Sequence, residues 1–224
     1  AVPGGCNLPV RRHMRRAQDF APLRTPMHMT PVFLFVDLLE DFFTEPPLSL
    51  RRAELARAAN NLAALARERA APVIWVRQEF APDLSDAFLS MRKTGRRVTI
   101  EGTKGCQILA ELDRMPHDHE IVKKRYSAFF GTGLDELLRT LGCTHLVVCG
   151  VNTHACVRTT AVDAYQRDYE VLLARDAIAS YDDEYHRESM RYLERSIGTA
   201  LSNSELAAFL RETAETSTTP HGSR

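Results

Sequence analysis

An aspartate, a lysine and a cysteine each stand where a short apolar run gives out: Asp37 after "VFLFV", Lys123 after "EIV", and Cys156 just past "LVVCG". Together these three types make a nucleophile with its own proton handling. A cysteine in the first turn of a helix faces unpaired backbone N–H groups and the positive end of the helix dipole, which favours its thiolate. A neighbouring ammonium is expected to lower its pKa further. The carboxylate takes the thiol proton as general base and later returns it to a leaving nitrogen as general acid. The lysine keeps that carboxylate oriented and limits repulsion between two anions. Each residue alone has a commonplace reading. Aspartates after strands cap turns, lysines are solvated, and most free cysteines are small apolar filler. Their shared position, at the ends of three separate apolar runs, is what points to chemistry, with Arg77 and Gln78 as candidate neighbours at the end of a fourth.

Those runs belong to an alternating rhythm. "PVFLFVDLL", "APVIWVRQEF", "HEIVKKRY", "THLVVCG" and "YEVLLARDAIA" read as strands, with a short "TALSN" near the end. Between them, "LSLRRAELARAANNLAALARERA", "GLDELLRTLG" with Gly142 as C-cap, a segment from about His154 to Arg167, and "DDEYHRESMRYLERSI" carry helical spacing. A last helix is expected from Ser204 to Arg211. Residues 81–104 read as a loop-rich excursion, with a short helix expected around Gln107–Leu112. Strands separated by helices imply right-handed crossovers and a mostly parallel sheet. The fold class is therefore α/β: three layers around a roughly six-stranded open sheet. Ligands of such sheets bind beyond the carboxyl ends of the strands, where Asp37, Lys123 and Cys156 stand.

One domain is expected over residues 31–213. Residues 1–30 hold five arginines against one acid, Asp19, without clear periodicity, and read as a flexible extension; residues 214–224 read as a disordered tail. The 224 residues carry a formal net charge of zero, so composition gives no electrostatic reason to expect nucleic acid or a membrane surface as partner. No apolar run approaches a membrane span, and the first residues show no secretory h-region. The five cysteines are scattered, with no C-x-x-C pair and no zinc-ligand spacing. A reduced, cytoplasmic protein without cofactor is the expectation.

"FVDLLEDFF" around Asp37, "VKKRYSAFFGTGL" around Lys123 and "CGVNTHACVRTTAVDA" around Cys156 occur in this order. In these motifs the chain resembles the isochorismatase-like cysteine hydrolases, over about residues 30–211. The resemblance implies a catalytic triad of Asp37, Lys123 and Cys156. Lys123 is preferred to Lys124 because the family lysine precedes the serine of Ser-Ala-Phe, here Ser127, by four positions. It also implies a non-proline cis peptide at Val151–Asn152, an oxyanion hole from the backbone N–H groups of Asn152 and Cys156, and a homodimer or homotetramer. Nicotinamidases of this group carry an Asp-x-His…His metal set after the second strand. Here "WVRQEFAPDLSDAF" has no histidine, which disfavours both a metal and nicotinamide. Isochorismate hydrolysis in the same fold does not need a thiol, so the cysteine favours C–N bonds of a small linear amide, ureide or N-carbamoyl compound. An isochorismatase, or a silent member that only binds, stands as the alternative. Leu39 occupies a place where many members carry Gln or Asn. Phe42, Gln78, Tyr126 and Phe129 are the expected substrate contacts. His154 as a dyad partner, Arg158 as a carboxylate anchor, and His117 with His119 as a metal pair are the weaker candidates.

Overall fold

The structure, a computed structural model, describes residues 29–217. Strands β1 (Pro31–Val36), β2 (Val73–Gln78), β3 (His119–Lys123), β4 (His145–Gly150), β5 (Glu170–Ile178) and β6 (Gly198–Leu201) form one sheet in the order β3-β2-β1-β4-β5-β6. Every neighbouring pair is parallel. The chain lays strands outward from β1 to β3, then returns to place β4 on the other side of β1. That reversal makes the β1/β4 boundary a topological switch point, where the crevice beyond the strand ends opens.

Among the described residues six α-helices accompany the sheet: α1 (Leu48–Glu68), α2 (Leu89–Thr94), α3 (Leu134–Thr140), α4 (Arg158–Tyr165), α5 (Asp183–Ser196) and α6 (Asn203–Ser217). Right-handed crossovers on either side of the switch put α1 and α4 on opposite faces of the sheet. α1 touches α6, and α4 touches α5, which completes the two outer layers. With both faces covered, the central strands can be continuously apolar. Val32 to Val36 of β1 and Leu146 to Cys149 of β4 are accordingly buried throughout, and the Phe35 and Trp75 rings lie 4.3 Å apart in the same core. A second, smaller cluster (Phe80, Leu84, Ala87, Met91 and Ile100, flanked by Phe88 and Val98) forms its own core within the excursion after β2.

Three sequence readings are corrected. Gln107–Leu112 is not a helix. After a single 3-10 turn at Lys104–Cys106 the backbone extends, and Ile108 bridges antiparallel to Leu39. Glu40 N–H donates to Gln107 O at 3.0 Å and Leu109 N–H to Leu38 O at 3.0 Å, so pairing with the chain after β1 takes the groups a helix would use. The excursion contains a helix that periodicity over a longer window hides, α2, stopped by Gly95 in the left-handed region. Finally, the helix expected from His154 begins as a π-helical turn, Thr153–Val157, before α4. α6 runs four residues beyond the expected domain end. The N-terminal extension, apart from residues 29 and 30, and residues 218–224 of the tail lie outside the described residues.

Candidate active site

Three strand ends deliver the three candidate residues. Asp37 follows β1 directly, with a positive φ of 53° and its N–H on Val76 O at 3.0 Å. Lys123 is the last residue of β3, in register with Gln78 of β2. Cys156 lies in the π-helical turn after β4. The approach of that turn to β1 depends on Gly150. Its φ is 120°, and a Cβ there would sit 1.9 Å from Val36 O.

The side chains meet. Lys123 Nζ lies 2.7 Å from Asp37 Oδ2, 3.3 Å from Cys156 Sγ and 3.0 Å from Arg125 O. These three partners match the three donors of an ammonium. Asp37 and Lys123 are fully buried and Cys156 is 3% exposed. Burial works against the Lys123 cation, but the Asp37 carboxylate beside it, with the hydrogen bonds to Asp37 and Cys156, holds its pKa above the usual lysine value. The thiol goes the other way from the expectation of a helix-start thiolate. Burial pushes the Cys156 pKa up, the Asp37 charge adds to that, and Lys123 offsets only part. A raised pKa favours the protonated sulfur, whose proton then needs an acceptor. Neither Asp37 oxygen has a well-directed hydrogen bond among the described residues, which leaves lone pairs to receive it.

The nucleophile turn is pinned from two sides. On the β1 side Val151 N–H donates to Val36 O at 3.0 Å, and the Val151–Asn152 peptide is cis. On the β5 side Thr153 N–H donates to Ala179 O at 2.9 Å, Tyr181 N–H to Asn152 Oδ1 at 3.2 Å, and Thr153 Oγ1 meets His186 Nδ1 at 2.7 Å. His154 Nδ1 lies 2.8 Å from Ser180 Oγ. That buried hydroxyl also accepts from Asp182 N–H. Burial lowers the His154 pKa, with Asp182 pulling the other way, so the ring is neutral at physiological pH. It acts as a hydrogen-bonded wall between Tyr181 and Tyr185, not as a partner of the sulfur.

Cys156 opens onto a cavity of about 310 Å³. Phe42, Gln78 and Tyr126 line it, as expected from sequence. Phe129 does not. Its ring is buried against Tyr169, beneath the Arg167 guanidinium, because the chain turns inward after Ser127. Gln78 is 5% exposed and its Nε2 has no hydrogen-bond partner, a costly state that a bound acceptor would relieve. Arg77, its neighbour, is turned away onto Glu79 and Glu120. Arg158 lies over the Tyr192 ring and so packs α4 on α5. Leu39 is fully buried in the main core. Among the described residues no three His, Cys, Asp or Glu side chains are grouped to hold a metal, His117 and His119 included.

Sequence reasoning missed the outer wall: Phe88, Met91, Arg96 and Val98 from the excursion, and Tyr181 from the loop after β5. The signal was present, since Leu84, Ala87, Phe88 and Met91 follow helical spacing over a short window. The segment after Lys123 holds this wall in place. Lys124 pairs with Asp86 at 2.9 Å, Arg125 donates to Asp86 O at 2.8 Å, and Phe88 packs on Tyr126 with centroids 4.7 Å apart. Two larger surface grooves, of about 830 and 530 Å³, run along α1, and no cysteine lines either.

A family model for the isochorismatase domain matches residues 31–205. The chain belongs to the isochorismatase family. That places it among hydrolases, including amidases that act on C–N bonds. The chain is 36% identical over 163 residues to the probable inactive nicotinamidase of Arabidopsis thaliana, covering 68% of this chain and 82% of that one. The solved structure of an isochorismatase family protein from Desulfovibrio vulgaris superposes with a TM-score of 0.75 at 28% identity, covering 82% and 99%. The N-carbamoylsarcosine amidase of Thermoplasma acidophilum does so with a TM-score of 0.68 at 27% identity, covering 79% and 98%. These likenesses agree with the six-stranded parallel sheet described above, and no described helix is long and apolar enough to cross a membrane.

Proposed function

We propose that this family member is a cysteine-dependent amidohydrolase that cleaves a C–N bond of a small linear amide, ureide or N-carbamoyl compound. The observation that carries this reading is the Lys123 ammonium between the Asp37 carboxylate and the Cys156 sulfur, at the floor of a cavity. Asp37 takes the thiol proton as Cys156 Sγ attacks the carbonyl carbon. The N–H groups of Asn152 and Cys156 hold the resulting oxyanion. The tetrahedral adduct collapses, the C–N bond breaks, and Asp37 returns its proton to the departing ammonia or amine. Water, deprotonated by Asp37, then opens the thioester, which frees the acid and restores the thiol. Lys123 remains charged throughout and offsets negative charge wherever it lies along the path. Gln78 hydrogen-bonds the amide or ureide, with Phe42 and Tyr126 against its apolar part. The four described cysteines are all free, in keeping with a reducing, cytoplasmic setting, and we place the protein there as a homodimer or homotetramer.

An ammonia-release screen over amides, ureides and N-carbamoyl amino acids, run beside an isochorismate assay, tests this reading. Release from at least one C–N substrate is expected, abolished in Cys156→Ala and Cys156→Ser. Near-normal amide hydrolysis by Cys156→Ala, or activity on isochorismate alone, overturns it.

A further inference from the structure

We propose that the cavity above Cys156 selects an anionic substrate with an apolar body, and that Arg96 is the residue that selects the anion. The proposal rests on the amidohydrolase reading and narrows it to amides or ureides that carry a carboxylate.

The lining is lopsided in charge. Phe42, Phe88, Met91, Val98, Tyr126 and Tyr181 are among its apolar or aromatic side chains, and no aspartate or glutamate is on the lining. Arg96 is the one arginine on the wall, and no lysine accompanies it. A cationic substrate would find no counter-charge there. Arg96 is exposed at the mouth, and its guanidinium makes no ion pair among the described residues, whereas nearby Arg77 and Lys124 are both paired. It is near enough to Tyr181 to pull down a phenol pKa that burial, Tyr126 and Tyr185 raise. On the same lining the buried Gln78 Nε2 has no hydrogen-bond partner. The cavity thus offers a buried acceptor-seeking amide, aromatic walls and an exposed planar five-donor cation. A carboxylate is the group that matches a guanidinium in two parallel hydrogen bonds. The volume of about 310 Å³ lies at the small end of ligand sites, which run from about 300 to 1,000 Å³, so the apolar body is no larger than a phenylalkyl group.

Binding to the Cys156→Ala protein measures this without turnover. By calorimetry, 3-phenylpropanoate is compared with its neutral analogue 3-phenylpropan-1-ol, which carries neither a carboxylate nor an amide. The carboxylate is expected to bind about tenfold tighter, and that preference to weaken with added salt because Arg96 is solvent-exposed. Arg96→Gln is expected to erase the preference. Arg96→Lys keeps the charge without the fork and is expected to retain part of it. Equal affinities, a preference unmoved by Arg96→Gln, or no binding of either probe at millimolar concentration overturns the proposal. The two readings fail separately. A carboxylate preference that depends on Arg96, in a protein that hydrolyses no amide, removes the chemistry and keeps the site. Equal kcat/KM of the wild-type enzyme on matched anionic and neutral amides removes the selection and keeps the chemistry.

Discussion

The floor and the outer wall of the cavity are built by opposite means. Asp37 and Cys156 stand within a few residues of the central strands β1 and β4, and Lys123 ends the edge strand β3. Asp37 and Lys123 are fully buried beneath Cys156, which meets solvent only through the cavity. The backbones beside β1 and β4 belong to a parallel ladder buried on both faces, whereas β3, at the sheet edge, exposes Glu120 and Val122. The wall formed by residues 80–100 has only a five-residue core of its own. Phe80 N–H bonds Thr99 O and Glu101 N–H bonds Phe80 O, which closes the excursion on itself, and Asp86 fastens it to Lys124 and Arg125. Its cavity-lining Ser90, Thr94 and Arg96 are exposed. A site of this kind keeps its chemistry where the fold is stiffest and its selectivity where the fold is thinnest.

If that contrast holds, damage to the floor should threaten the fold itself, and damage to the wall should alter recognition. The largest effect belongs to Gly150→Ala, whose methyl would enter the Val36 backbone; a loss above about 4 kcal/mol is expected, read as failure to fold or a collapsed urea midpoint. Lys123→Met comes next. It leaves the Asp37 carboxylate buried without its counter-ion and should cost about 3–5 kcal/mol in urea unfolding, along with all turnover. A mild loss of stability would show that water reaches Asp37 and that the floor is less sealed than described.

Asp37→Asn separates two readouts. Amide hydrolysis should vanish, while the Cys156 pKa falls because a negative neighbour has been removed and Lys123 remains. Alkylation by iodoacetamide should therefore be faster than in wild type at neutral pH. In wild type the reaction should keep climbing as pH passes the ordinary thiol range, and a flat profile across neutral pH would mean a thiolate at rest. On the wall, Phe88→Ala removes ring contacts with Phe80 and Tyr126. KM should rise by about tenfold with kcat little changed, and stability should fall by about 1–2 kcal/mol. The smallest effect is expected of Asp86→Ala, about 0.5–1 kcal/mol, since its pair with Lys124 is partly exposed.

The same contrast governs what could be read without coordinates. Asp37, Lys123 and Gln78 announce themselves because a polar residue ending an apolar run has its place set by the strand before it. Cys156 announces itself through the switch from strand to helix. The upward push on its pKa did not follow, because residue order marks a helix start but not how deeply it is buried or that Asp37 lies beside it. Phe129 was misplaced because neighbours in a turn face different ways, and no periodicity tells which. Ile108, Leu109 and Leu112 have helix-compatible spacing, yet Leu38 to Glu40, some seventy residues earlier in the chain, claim the backbone of Gln107 to Leu109. Arg96 and Tyr181 reach the cavity through tertiary packing alone.

Four consecutive residues, Lys123 to Tyr126, serve both parts at once. The first grips the carboxylate and sulfur, the next two grip Asp86, and the last stacks on Phe88. This quartet behaves as a hinge pin with no slack: one residue inserted or deleted there would uncouple catalysis from recognition. Redesign for another substrate therefore has to graft new sequence between Ala81 and Lys104 and carry these four positions over verbatim.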